Sequence, residues 1–140
     1  MNSQSYRTRV AVLWVALAVA TSYSVLMYLV APGALEDALA GTMEGEPLDA
    51  SLIFQMSIVV CVPLVMAAVT LLIGDRLNRY VNLIAGLLFG LLAAFGMASE
   101  LLAGEFNGHV LLVALGCCLA FLIAALSLVG LRQPTSQARP

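Results

Sequence analysis

The stretch VNLIAGLLFGLLAAFGMASELLA, residues 81–103, decides the fold. It is 23 residues long and carries a single charge, Glu100, close to its end. A helix rises about 1.5 Å per residue, so this run spans roughly 35 Å, enough to cross a hydrocarbon core of about 30 Å. Three further runs match it: Val10–Val30, Ser51–Ile73 and Val110–Leu131. Stretches such as Leu111–Leu115 show no period of two, which excludes barrel strands. In lipid every backbone group is bonded within its own segment, so such runs are helices. With 62% hydrophobic and 10% charged residues, the chain is far from a soluble domain, which carries about 25% charge. The expected fold is all-α: an antiparallel up-down-up-down bundle of four transmembrane helices. The connections Gly74–Tyr80 and Gly104–His109 are short, which forces antiparallel neighbours.

Charge alternates along the chain. All six basic residues are arginines, at 7, 9, 76, 79, 132 and 139. The acids gather in the other segments, as Glu36, Asp37, Glu44, Glu46, Asp49, Glu100 and Glu105; Asp75 is the exception. Arginine-rich flanks stay cytoplasmic. The expectation is therefore a multi-pass protein of a prokaryotic plasma membrane. Residues 1–9 form a cytoplasmic head, residues 10–131 a single transmembrane domain, and residues 132–140 a disordered cytoplasmic tail. The acids form an outer rim. Arg7, Arg9 and the triplet Ala18-Val19-Ala20 echo a signal peptide, but the apolar run continues to Val30, so a retained helix is expected. No basic patch exists on any folded face, which argues against nucleic acid as a partner.

The first connection is the longest. Pro32-Gly33 ends the first helix. In Ala34–Ala40, Leu35, Ala38 and Leu39 share a face, with Glu36 and Asp37 towards the other. That pattern predicts a short amphipathic helix on the outer surface. Asp49 or Ser51 is placed to cap the second span.

In lipid, small residues let helix backbones approach closely. Gly86, Gly90, Ala94 and Ala98 recur every four residues in the third span; Gly116, Ala120 and Ala124 do so in the fourth. These are the expected packing ridges, with Ala16, Ala20 and Ser24 of the first span. A homodimer is the alternative use of one ridge. Pro63, mid-span in the second helix, removes one backbone bond and predicts a kink. Arg76, Asn78, Arg79, Tyr80 and Asn82 form a turn suited to lipid headgroups or a partner protein. Asp75 or Asn78 is read as the cap of the third span. Tyr6, Trp14, Tyr28 and Phe106 are loosely placed for an interfacial aromatic belt.

The chemistry is sparse. No charge lies mid-span, which argues against a proton-coupled antiporter. The deep polar groups, Tyr23, Ser24, Gln55, Ser57, Thr70 and Ser99, can mostly bond to a carbonyl one turn back. Glu100, Glu105 and His109 cluster near the third connection, but ligand convergence does not follow from their spacing. They read as solvated interface residues, with no metal and no cofactor. Cys61, Cys117 and Cys118 read as small packing residues, since no Cys-x-x-Cys pair exists.

Several motifs carry a family resemblance. They are Tyr23, Pro32-Gly33-Ala34-Leu35, Gly41-Thr42-Met43-Glu44-Gly45, Pro63 and Asn78-Arg79-Tyr80-Val81-Asn82 leading to Gly86. The chain resembles an uncharacterised prokaryotic four-helix integral membrane family, domain of unknown function 6326. It departs from that pattern at Val25 and Cys61, where the family tends to carry acids. The resemblance implies a four-helix membrane fold and no activity. The functional expectation is a non-enzymatic structural or accessory component of a membrane assembly, in contact with the lipid bilayer. The alternative is a small transporter or channel for apolar or weakly polar solutes, acting as a homodimer.

Overall fold

The computed structural model of the chain describes residues 3–43, 46–104 and 108–132. Five helices form: α1 (Ser3–Leu29), α2 (Ala34–Leu39), α3 (Ala50–Leu72), α4 (Asp75–Leu102) and α5 (Gly108–Arg132). α1, α3, α4 and α5 are each long and apolar enough to cross a membrane. Large apolar side chains point outward along them, among them Leu72 at 82% exposure, Phe95 at 77% and Leu102 at 89%. A face of this size is rare on soluble proteins and suits lipid. The helices run up, down, up and down. One end of the bundle holds both termini and the α3–α4 turn. The other holds the α1–α3 and α4–α5 connections, and these are called below the terminal end and the loop end.

α2 is the short surface helix that the first connection encodes. None of its side chains is buried, and Leu39 is 81% exposed. Gly33 and Gly41 bracket it with φ of +87° and +82°, values that favour glycine. Beyond it, Thr42–Met43 (β1) and Glu46–Pro47 (β2) pair as a minimal antiparallel bridge. The Asp49 carboxylate then accepts a bond from the Leu52 amide at 2.9 Å, capping α3.

Three helices are longer than their apolar runs, α1, α4 and, by a few residues, α5. α1 starts at Ser3 and α4 at Asp75. Hydropathy marks only the stretch that lipid tolerates, whereas helix geometry continues into the polar flanks. The Gly74 backbone is the cap of α4, and no side chain caps it. Asp75 sits instead in the first turn, near the positive end of the helix dipole. There it accepts from Arg7 Nε at 2.8 Å and Nη2 at 2.5 Å, tying α1 to α4.

α1 packs on both α3 and α5, and α5 packs on α4; α3 and α4 meet at few points although two residues join them. Burial is confined to one half of two helices. On α3 the buried residues are Pro63, Met66, Ala67 and Thr70. On α4 they are Asn78, Asn82, Gly86 and Gly90. The core is made by Tyr6, Val10, Trp14 and Leu17 of α1 with Met66, Ala67, Ala120 and Ile123. α1 and α5 stay buried up to the loop end, at Ser24 and Val110, whereas α3 and α4 are buried only towards the terminal end. α3 stays helical through Pro63, whose ring is buried at the boundary between its docked and undocked halves.

The α4 ridge is used over part of its length. A Cβ on Gly86 would lie 2.9 Å from the Ala120 carbonyl oxygen and 3.0 Å from the Ala124 amide nitrogen. At Gly90 it would meet the Phe121 ring at 2.9 Å. Ala94 is half-buried and Ala98 exposed. A four-residue repeat drifts about 40° per step around a 3.6-residue helix. The buried series on α4 runs from Asn78 to Gly90, so the ridge packs within the bundle at Gly86 and Gly90 and leaves Ala98 exposed. That drift points Ala120 and Ala124 at α4 and Gly116 at Leu17 of α1.

Gly86→Ala is expected to lower thermal stability in detergent by more than Gly90→Ala. The first presses on backbone atoms that cannot give, the second on the movable ring of Phe121. Equal losses in the two melting curves would overturn this account of the α4–α5 contact.

Candidate functional site

The residues with chemistry fall into two groups, one at each end of the bundle. At the terminal end, Asn82 is fully buried. Its Oδ1 accepts from Trp14 Nε1 at 2.5 Å and lies 2.9 Å from Thr70 Oγ1, whose single proton is shared with the Met66 carbonyl at 2.7 Å. Its Nδ2 donates to the Asn78 carbonyl at 2.8 Å and to Asn78 Oδ1 at 2.5 Å. Asn78, also fully buried, donates through Nδ2 to the Thr70 carbonyl at 2.7 Å. Each Asn82 donor and lone pair is therefore used, across α1, α3 and α4. A second knot lies beside it. Ser127 Oγ donates to the Ile123 carbonyl, which leaves Tyr6 Oη as donor to Ser127 Oγ at 2.8 Å. The Arg79 guanidinium lies 5.2 Å from the Tyr6 ring centroid and bonds to the Gly130 carbonyl.

These positions correct the sequence reading. Asn78 and Asn82 lie inside, so they offer nothing to headgroups or a partner. Arg76 and Tyr80 remain exposed, and Arg79 is half-buried. Trp14 and Tyr6 are core residues, not belt residues, because their polar atoms find buried partners. Tyr28 is half-buried, and Phe106 lies outside the described residues. The signal was present: Asn78, Asn82, Gly86 and Gly90 form one unbroken four-residue series.

At the loop end, the loop-end half of α3 borders a cavity of about 330 Å³. Its walls come from all four long helices and include Leu17, Met56, Val60, Leu92, Val113 and Phe89. The volume falls within the usual range of small-molecule sites, about 300–1,000 Å³. The lining is almost wholly apolar, with Thr21, Ser24, Gln55 and His109 as its polar members. The cavity lies between the loop-end halves of α3 and α4, two helices that meet at few points. Trp14 meets Phe89 edge to face at 5.9 Å, which places the indole directly behind the cavity wall.

His109 sits at the loop-end margin. Its Nδ1 is 2.8 Å from the Ser24 carbonyl oxygen, and its Nε2 is 3.1 Å from Glu100 Oε1. The side chains are 20% and 25% exposed, so they are paired and largely enclosed rather than solvated. The fold brings them together across the Gly104 turn, where helical spacing gives no guide. Of the other rim acids, Glu36, Asp37 and Asp49 are exposed, Glu44 and Glu105 lie outside the described residues, and so does the side chain of Glu46. Among the described residues no three His, Cys, Asp or Glu side chains gather as a metal set.

Compared with models of known families, the chain matches the one described as "Family of unknown function (DUF6326)" over residues 2–129. No curated protein and no solved structure matches it.

Replacing Asn82 by Leu strips the Trp14 indole N–H and the Asn78 side-chain oxygen of their partner, while Thr70 keeps the Met66 carbonyl. The expected loss is about 1–3 kcal/mol, the usual cost of orphaned buried polar groups. Reversible unfolding in mixed micelles measures it. Ser57→Ala, which removes an exposed hydroxyl bonded only within α3, should be neutral. A neutral Asn82→Leu would overturn the structural role of the network.

Proposed function

The chain belongs to that family of unknown function, and from this premise we propose that it is a multi-pass membrane protein that binds an apolar or weakly polar small molecule. The loop-end cavity carries this reading. It is apolar and of ligand size, and it lies between the loop-end halves of α3 and α4. A molecule dissolved in the bilayer reaches such a cavity without passing through water. The described arginines, Arg7, Arg9, Arg76, Arg79 and Arg132, lie at or near the terminal end, and Glu36, Asp37, Asp49 and Glu100 at the loop end. That axial split supports cytoplasmic termini in a prokaryotic plasma membrane and a cavity in the outer leaflet. The protein acts here as a binding component and performs no chemistry on its ligand.

A second reading, an accessory subunit, is favoured by one observation. α3 docks essentially on α1 alone and presents most of its surface outward. That face suits lipid or the helix of a partner subunit, including a second copy of this chain.

Trp14 is the only tryptophan, and it stands behind the cavity wall. A brominated lipophile added to the protein in nanodiscs should quench its emission in a saturable way. Ala93→Phe with Val113→Phe, which fills the cavity, should weaken that quenching about tenfold, the equivalent of about 1.4 kcal/mol of binding. Quenching that rises linearly with lipophile, or is untouched by the double substitution, would sink the binding reading. For the second reading, gentle-detergent extraction should yield a stoichiometric partner or dimer; a bare monomer under all conditions counts against it.

A further inference from the structure

We propose that Glu100 and His109 form a site for one proton, and that this shared proton latches α1, α4 and α5 together at the loop end of the cavity. The proposal stands on hydrogen-bond geometry and does not rest on the ligand reading.

A carbonyl oxygen can only accept. The Ser24 carbonyl, 2.8 Å from Nδ1, therefore assigns a proton to Nδ1 of His109. A neutral ring with its proton on Nδ1 presents a bare lone pair at Nε2. That lone pair would face the lone pairs of Glu100 Oε1 at 3.1 Å. The contact is attractive only with one more proton in it, carried either by the imidazolium or by the carboxylic acid. Both forms leave the pair with no net charge. Loss of the proton to water leaves one negative charge and two opposed acceptors in a largely enclosed place. Burial strengthens that repulsion, and Glu100 Oε2 is already buried without a bonding partner.

The surroundings define the route and the competitors. Glu100 also lines a separate hollow of about 420 Å³ at the loop end, shared with Tyr28, Asp37 and Ser99. His109 lines the apolar cavity. The pair thus stands between the two spaces, and a proton from the hollow reaches Glu100 without entering the cavity. Among the described residues, the titratable groups facing it are Tyr28 of α1, whose ring meets the imidazole at 6.0 Å, and Asp37 of α2 across the hollow. From α3 the polar member of the cavity lining is the uncharged Gln55. With the proton, the latch joins Ser24 of α1, Glu100 of α4 and His109 of α5. Without it, Glu100 turns to the hollow and the two spaces connect.

His109 is the chain's only histidine, so histidine-specific nitrogen-15 labelling reports on it alone. In the full-length wild type in nanodiscs, Nδ1 should carry a proton. A neutral ring protonated on Nε2 instead would overturn the site. The latch is read separately from a cysteine placed at Val113, with Cys61, Cys117 and Cys118 replaced, using a membrane-impermeant sulfonated maleimide. Glu100→Gln, whose amide can donate to Nε2, should hold the latch closed at all pH values. Relative to that variant, wild-type labelling should rise about fivefold or more from mildly acidic to mildly alkaline buffer, the ratio that losing roughly one contact produces. An equal rise in both proteins would show that no latch opens.

Discussion

Asn82 holds this bundle together in a way that apolar packing cannot. Lipid is as apolar as leucine, so helices gain little by hiding leucines from it. A carboxamide with two donors and two lone pairs is different, since unbonded it is strongly disfavoured inside a membrane-like core. Its partners come from Trp14, Thr70 and Asn78, and these fix α1, α3 and α4 around one point. Only one register of the three helices satisfies all of these bonds. The backbone approach of Gly86 to Ala120 and Ala124 then adds α5. Both contacts lie on the same stripe of α4, one turn apart.

Fastening at one end frees the other. The two buried stripes, on α3 and on α4, stop near mid-helix. Above them the walls are large, apolar and loosely apposed, and the cavity is the space left over. It needs no special lining, only two helices that are held together below and not above. The polar pair at its margin belongs to the same logic. Glu100 and His109 close the loop end with directional bonds where packing is thin. A bundle with a uniform core would have neither the space nor any need of the pair.

Much of this was legible in the chain. The four spans, the antiparallel order and the surface helix at Ala34–Leu39 follow from run length, loop length and periodicity. The Asp49 cap follows from residue type and place. The terminal-end network was hidden by one assumption, that polar residues flanking an apolar run lie outside the helix bundle. Asn78 and Asn82 stand at that edge by hydropathy, yet α4 begins at Asp75 and carries them inward. The Glu100–His109 pair was hidden for another reason. Its two members are nine residues apart across a turn, and only the tertiary path sets their distance. The cavity was not legible at all, because the residues around it are the same leucines and valines that fill any span. The four-residue series is buried from Asn78 to Gly90 and surfaces by Ala98, a shift along α4 that spacing alone does not reveal.

Pro63 lies at the boundary between the fastened and open halves of α3. A proline lacks the amide that would bond one turn back, so the rod is softest where anchoring ends. The loop-end segment, residues 50–62, is therefore a cantilever clamped at Pro63. It holds no fully buried side chain, and at Pro63 the backbone has one bond fewer than an ordinary helix. The mouth of the cavity can widen or narrow while the hydrogen bonds of Asn82 stay intact. Compliance and rigidity are thus properties of two halves of one helix, divided at a single residue.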